Sequence, residues 1–284
     1  PWNANRNVGQ YIWDVINPNP SRWQEGIKLV NHVMILNKDD PAKVERSLDT
    51  LGRMFHDLLE DWARAVFWWR KSEQMGGFAP PVKLAHCYWK LGSKEMAVEI
   101  LLEMERYYLP DAGQIRLWGE MGEVDKALEL AESAAEDGFA DESYLAAADV
   151  CRKAGRYAEA TAYYEKVLAL PDLAPRGHGH GNGPERDRPK ERAQANLQAM
   201  KLFDALEVKR VPDGAYTGNS IAYAGQLYVE VSVRAARIES VRVTQHEERQ
   251  FYSAFTDTIR QIVSRQSVKG IDATTGATIT SEAI

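Results

Sequence analysis

Cysteine is scarce in this chain of 284 residues: Cys87 and Cys151 are its only two. No CxxC, no CxxCH and no paired Cys/His spacing occurs, which excludes zinc-finger and c-type haem chemistry. Both cysteines fall within helical patterns and read as buried, inert thiols that behave as small hydrophobes. No apolar run reaches the roughly 18 residues that cross a bilayer, so the sequence holds no membrane span. A basic stripe is also lacking, and 35 basic against 41 acidic residues leave a net charge of −6. Nucleic acid is therefore not the expected partner. No catalytic dyad, triad or metal-ligating cluster stands out, so no catalytic and no metal residues are assigned. The remainder, 44% hydrophobic and 27% charged, is ordinary for a globular protein, and the length suits two domains of about 150 residues. The sequence opens at Pro1 rather than at Met, which leaves room for an export signal or anchor ahead of it.

The chain has two unlike parts. All eight tryptophans lie within the first 118 residues, and the last third has none. Residues 209–284 carry nine basic and eight acidic side chains, so the acidity belongs to the helical part before them. Between the two lies Ala174-Pro-Arg-Gly-His-Gly-His-Gly-Asn-Gly-Pro184, rich in the residues that interrupt regular structure. It reads as a flexible loop over 174–191, ahead of a capping helix. His178 and His180 alternate with glycine there, but two imidazoles without a nearby carboxylate or thiolate make a poor metal site. The expected domains are 1–206, helical, and 209–284, mixed.

The helical part repeats. A Gly is followed five residues later by an Ala at Gly92…Ala97, Gly122…Ala127 and Gly155…Ala160, and Ala65 stands 32 residues before Ala97. A period near 34 built from two helices is that of the tetratricopeptide repeat, and residues 84–97 and 147–168 resemble it closely. The Gly closes the first helix in a left-handed conformation, and the small Ala lets the paired helices approach. Tyr88 and Tyr164 are expected to fill the groove between successive pairs, and each tryptophan to serve the core. Residues 59–72 fit the frame around Ala65, and 20–38 supply a degenerate first repeat. A helix from Arg192 to Leu206, apolar at Ala193, Leu197, Met200, Leu202 and Phe203, is the expected cap. One helix pair cannot bury its own apolar face, so the stack is the stable unit.

After Val211 the pattern changes. Leu227, Val229, Val231 and Val233 alternate with polar residues as in a half-buried strand. Ile238, Val241 and Val243 form its neighbour, reached through Arg234-Ala-Ala-Arg237. Tyr252, Phe255, Ile259, Ile262 and Val263 recur at helical spacing as one apolar stripe. The expected module is a curved antiparallel sheet with a helix packed on it. The final stretch, Gly270-Ile-Asp-Ala-Thr-Thr-Gly-Ala-Thr-Ile-Thr-Ser-Glu-Ala-Ile284, is polar and precedes a helix, with Thr280 or Ser281 as its N-cap. Gly276 permits close approach to the backbone, and the hydroxyl of Thr278 stands where a phosphorylated cofactor would be held or esterified.

These last 75 or so residues resemble the FMN-binding domain of extracytoplasmic flavoproteins. Asp213-Gly-Ala-Tyr-Thr-Gly218 looks like its opening strand and turn, and Asp272-Ala-Thr-Thr-Gly-Ala-Thr278 like its flavinylation motif. The resemblance implies FMN bound covalently through a phosphoester to Thr278, installed by a flavin transferase that uses FAD. It implies supporting roles for Asp272, Thr275, Gly276, Ala277 and Thr280. Ala222-Tyr-Ala-Gly225 stands where the family often has Gly-Tyr-Gly-Gly, Ala235-Ala236 replaces its Asp-Gly turn, and the chain stops where the family's terminal helix is starting. Tyr216 and Tyr223, with Gly225 beside the latter, are candidates to wall the flavin ring, each also suited to the core of a half-buried sheet. His246 reads as a strand-end surface residue able to donate to a flavin carbonyl.

The expected fold is thus an α-solenoid followed by a small α+β FMN-binding domain. The expected function is electron transfer outside the cytoplasm, in the periplasm or at the cell surface, with membrane tethering. The repeats dock a protein redox partner or a membrane-associated electron-transfer complex. The chemistry belongs to the cofactor, so a carrier is expected rather than a stand-alone enzyme. The alternative is a repeat scaffold for complex assembly whose C-terminal domain carries no flavin. A flavin reductase for a small substrate is a weaker third reading.

Overall fold

A computed structural model describes residues 7–171, 189–203, 207–271 and 277–284, the Thr278 side chain excepted. The Gly/His segment with His178 and His180 lies outside the described residues. By packing, the chain divides into two compact units, 1–108 with 249–252, and 109–248 with 253–284. This line of division differs from the one at 206–209 that composition suggests.

The first unit holds α1 (Val8–Tyr11), α2 (Trp23–Leu36), α3 (Pro41–Arg53), α4 (Trp62–Glu73), α5 (Pro81–Lys90) and α6 (Lys94–Tyr107). One wide π-helical turn, Met54–Leu58, continues α3, and all five of its residues are buried. The core here joins Ile16, Val30, Leu51, Phe55, Trp69 and Leu84. Gly52 brings α3 against α4: a Cβ there would lie 2.4 Å from the Trp69 indole nitrogen.

The second unit begins with α7 (Ala112–Glu120), α8 (Val124–Ala134), α9 (Ala140–Lys153), α10 (Tyr157–Ala169) and α11 (Pro189–Leu202). Tyr164 is buried with Leu145, Cys151, Val167 and Ala193. The capping helix packs on α10 through Ala193, Leu197 and Met200 but ends at Leu202, whose side chain is exposed. Residues 204–206, the rest of the expected helix, lie outside the described residues.

The Gly–Ala spacing has the cause expected of it. Gly92, Gly122 and Gly155 all take positive φ, 87°, 87° and 75°. Each closes its helix with paired backbone bonds. Gly92 N–H donates to Trp89 O at 3.0 Å and Ser93 N–H to Tyr88 O at 2.9 Å, and the other two repeat the pattern. Ala97, Ala127 and Ala160 are fully buried, as is Ala65. Five residues before Ala65 there is no glycine, and Glu60 takes the left-handed conformation itself, at φ 51°. None of the seven described tryptophans is exposed.

The sheet has three antiparallel strands in the order β1 (Gly214–Ile221), β2 (Gln226–Arg234), β3 (Arg237–Gln245). Leu227 and Val229 face the core with Ala222, Ile238, Val241 and Ile262. Ile238 and Val241 are three residues apart, an odd step that a regular strand would send to opposite faces. A register shift reconciles them: Val233 pairs with Ile238 and Ser232 with Ser240, which leaves Glu239 as the extra residue of a bulge. Helix α12 (Ala254–Arg265) packs on the sheet, and α13 (Thr278–Ala283) ends the chain. Tyr252 precedes α12 and does not join its stripe; its ring meets Trp23 edge-on at 5.4 Å in the first unit.

The β2–β3 turn holds two alanines in left-handed backbone, Ala235 at φ 50° and Ala236 at φ 62°. Asp213 Oδ1 accepts from Ala235 N–H at 2.8 Å and helps to hold them. Such a turn favours Asn-Gly, and a Cβ in this conformation costs about 1–2 kcal/mol. Ala236→Gly should therefore raise the urea midpoint by an amount equivalent to about 1 kcal/mol. An unchanged or lower midpoint would mean that the turn stores no such strain.

Candidate functional site

The first candidate site gathers around a buried carboxylate. Ala222 N–H donates to Gly225 O at 2.8 Å and closes the tip of the β1–β2 hairpin. Glu248, just past β3 and only 2% exposed, accepts from Ala224 N–H at 2.9 Å. Burial pushes its carboxyl up, while bonds from Ala224 N–H, the Thr280 hydroxyl and Tyr223 N–H work in the opposite direction. Thr280 is itself buried in α13. One carboxyl thus joins the hairpin tip to the C-terminal helix. Gly225 is tightly enclosed, since a Cβ there would lie 2.8 Å from Glu247 Oε2. Tyr223, at 44% exposed, presents its ring at the surface beside them.

The helix α13 starts at Thr278, with Ala277 as its N-cap and no side chain capping it. This corrects the expectation that Thr280 or Ser281 caps the helix. Both are buried inside it, and the Thr280 hydroxyl is engaged with Glu248. Ala277 is buried at the helix start. Asp272, Thr275 and Gly276, like the side chain of Thr278, lie outside the described residues. Of the sequence candidates, Tyr223, Gly225 and Thr280 are therefore brought together.

Tyr216 is not. It sits near the start of β1, its hydroxyl donating to Pro212 O at 2.8 Å. Five residues separate it from Ile221, about 17 Å along a strand. At 42% exposed it belongs to no core either. His246 is half-buried rather than at the surface, its ring 4.4 Å from that of Phe255, and burial pushes its imidazole down. The two cysteines are free and buried, with the Cys87 thiol pushed up to about 12 and that of Cys151 to about 11, chiefly by burial.

A second cluster, in the first unit, was not visible as chemistry in the sequence. Asp57 Oδ1 lies 2.5 Å from His56 Nδ1, and both Asp57 oxygens accept from Lys83 Nζ at 2.7 Å. His56 Nε2 lies 2.9 Å from His86 Nδ1. The carboxylate orders the tautomers in series: His56 donates from Nδ1, so its Nε2 accepts from His86 Nδ1–H. His86 Nε2 is then a buried acceptor without a partner. The rings of Trp62, at 5.0 Å from His86, and Phe251, at 5.6 Å from His56, enclose the pair. The clue was positional: His56 and His86 are thirty residues apart, close to the repeat period. Among the described residues, no three His, Cys, Asp or Glu side chains are placed to hold a metal.

Burial pushes His86 down to about 2, with the positive field of its neighbours adding to the effect, and it also lowers His56. In the folded chain both imidazoles take up protons less readily than unfolded ones, which gain them below about pH 6.5, and His86 stays neutral. The unfolded state thus binds more protons below that pH, so stability is kept above it and lost as the pH falls. Between pH 7 and pH 5, His86 alone should remove about 2 kcal/mol. Thermal melts across this range should show the first unit losing stability, with a shallower slope in His86→Phe. Equal slopes in the two proteins would contradict a neutral buried His86.

Comparison with known families agrees with the two architectures. Residues 222–284 match the FMN-binding domain, a range that begins after β1 and includes the hairpin tip, Glu248 and α13. Residues 82–103, covering most of α5 and α6, match the tetratricopeptide repeat, as do 143–177, covering most of α9 and all of α10. A search of curated proteins finds no match to the chain. No helix among the described residues is long and apolar enough to cross a membrane. The chain carries tetratricopeptide repeats, a region suited to protein–protein interaction, followed by a C-terminal FMN-binding domain.

Proposed function

We propose that this protein is an extracytoplasmic electron carrier with FMN esterified through its phosphate to Thr278, its repeats docking a redox partner. The observation that carries the reading is the tie between the hairpin tip and α13. Within the matched FMN-binding domain, Glu248 joins Tyr223 and Ala224 to Thr280, two residues past the candidate acceptor Thr278. The residues present fit such a group: an exposed aromatic ring, a tightly turned glycine and a helix start bearing a hydroxyl residue lie in one neighbourhood. FMN, when bound, supplies one- and two-electron transfer.

The chain's own part is attachment and placement. In attachment the Thr278 hydroxyl oxygen bonds to the flavin-side phosphorus of FAD, the pyrophosphate bond breaks and AMP leaves. The hydroxyl proton is released to solvent, and a flavin transferase directs the step. Tyr223 offers a face for the ring, while Glu248 keeps that loop and α13 in register. A covalent link suits a compartment where released FMN would diffuse away, which supports a place outside the cytoplasm, with tethering to the membrane.

Thr278→Val, nearly isosteric, tests the acceptor directly. Coexpressed with a flavin transferase, the wild type should retain acid-stable flavin near one per chain, and Thr278→Val should retain none while melting at the same temperature. Equal flavin in both would remove Thr278 from the assignment. A colourless wild type in that host would favour the scaffold reading instead.

A further inference from the structure

The six residues of α13 are far too few to hold a helix by themselves, and no side chain caps the start. Its position depends on anchors, of which Thr280 on Glu248 is one. Ala283 and Ile284 add apolar packing on the sheet core, and a further polar anchor lies in the last turn. Glu282 is 5% exposed, with Oε1 2.8 Å from Arg152 Nη2 on α9 and Oε2 3.0 Å from Arg192 Nη2 on α11. Asn196, also on α11, reaches the same Oε2 at 3.5 Å.

Behind this contact stands a second buried carboxylate. Asp149, 1% exposed, lies 3.3 Å from Arg192 Nη2 and 3.4 Å from Arg116 Nη2. It accepts from the Tyr164 hydroxyl at 3.0 Å, and that oxygen accepts from Arg152 Nε at 3.3 Å. Three guanidiniums, two carboxylates and a phenol therefore form one buried network across α7, α9, α10, α11 and α13. Burial alone would raise the Glu282 carboxyl, but Arg152, Arg192 and Arg116 outweigh it and hold the group below its ordinary range. Burial and the charge of Glu282 raise Asp149.

Such a network is a costly way to gain stability, because well-packed apolar residues often do as well in its place. What it supplies here is direction, since the two Glu282 oxygens are held by arginines on different helices, Oε1 by Arg152 and Oε2 by Arg192. The arginines belong to the helical repeats and cap, and the carboxylate belongs to the helix that begins at Thr278.

We propose that Arg152 and Arg192 are positioning residues for the flavin acceptor, so that the last repeat and the helix α11 form part of the attachment site. They act through Glu282, which sets the orientation of α13 and with it the place where Thr278 meets the transferase. The helical part then serves a second purpose besides docking a partner: the chain becomes competent to receive flavin only once its last repeat has folded. This inference rests on Thr278 being the acceptor.

The test is a double-mutant cycle on the full chain, with Glu282→Gln, Arg192→Gln and the pair, each incubated with a flavin transferase and FAD. Flavin uptake should slow by roughly 10–100-fold in each single variant, the scale of loss when a reacting group is misplaced by about 1 Å. The pair should be no slower than the worse single variant, because both changes break one contact. Hydrogen exchange of the 278–284 peptide before flavin is added should quicken in all three, a readout independent of loading. Should Glu282→Gln disturb the repeats, Arg192→Lys, which keeps the charge but loses the fork, supplies the comparison. Wild-type uptake rates in Glu282→Gln and Arg192→Gln, with α13 exchange unchanged, would overturn the proposal. Uptake at the wild-type rate in Thr278→Val would overturn the acceptor reading, and this inference with it.

Discussion

A carboxylate almost wholly removed from water must be matched by charge in a fixed place, or the region that buries it will not fold. Moving such an ion inside a protein costs several kcal/mol even after relaxation, and breaking a buried pair costs about 3–5 kcal/mol. Glu282 imposes that condition on the end of this chain. Its matching charges are not on the sheet or on α12 but on Arg152 of α9 and Arg192 of α11. The short helix that opens at Thr278 thus takes its orientation from the repeat that precedes the flavin domain. Within the second unit, these ion pairs tie the sheet domain's last helix to the repeat directly.

Glu248 does the complementary work from the other side. It is buried, it holds the hairpin tip, and it reaches Thr280, two residues before Glu282 meets the arginines. Between them the two carboxylates hold both faces of a helix that has too few residues to persist alone. At the helix where a cofactor would attach, the flavin domain adds these polar contacts to the apolar packing of Ala283 and Ile284. Ala222, Leu227, Val229, Ile238, Val241 and Ile262 form the core behind the strands.

The sequence made some of this legible and hid the rest for identifiable reasons. Gly92, Gly122 and Gly155 could be read because a left-handed helix end leaves few residue choices. Ala97, Ala127 and Ala160 followed because close helix approach leaves fewer still. Glu60 could not be read, since nothing marks a glutamate that takes the glycine's conformation. The strand alternation named the buried valines of β2, whereas the odd step from Ile238 to Val241 concealed a bulge. Tyr252 fell on the helical period of α12 by coincidence and packs against Trp23 instead. Charged residues mislead most, because Asp149, Arg152, Arg192 and Glu282 occupy helical positions that look like solvated faces. Their partners lie up to 130 residues away along the chain, beyond the reach of any local pattern. His56 and His86 were hidden in the same way, since their contact joins residues thirty apart on different helices.

The central claim is that this protein carries its flavin covalently at the start of α13. Tandem mass spectrometry of peptides from protein purified from its native host tests it most directly. The account predicts that the peptide spanning 270–284 carries the mass of one FMN less one water, with fragment ions that place it on Thr278. An unmodified 270–284 peptide from fully recovered native protein, or flavin mapped to another residue, would contradict it.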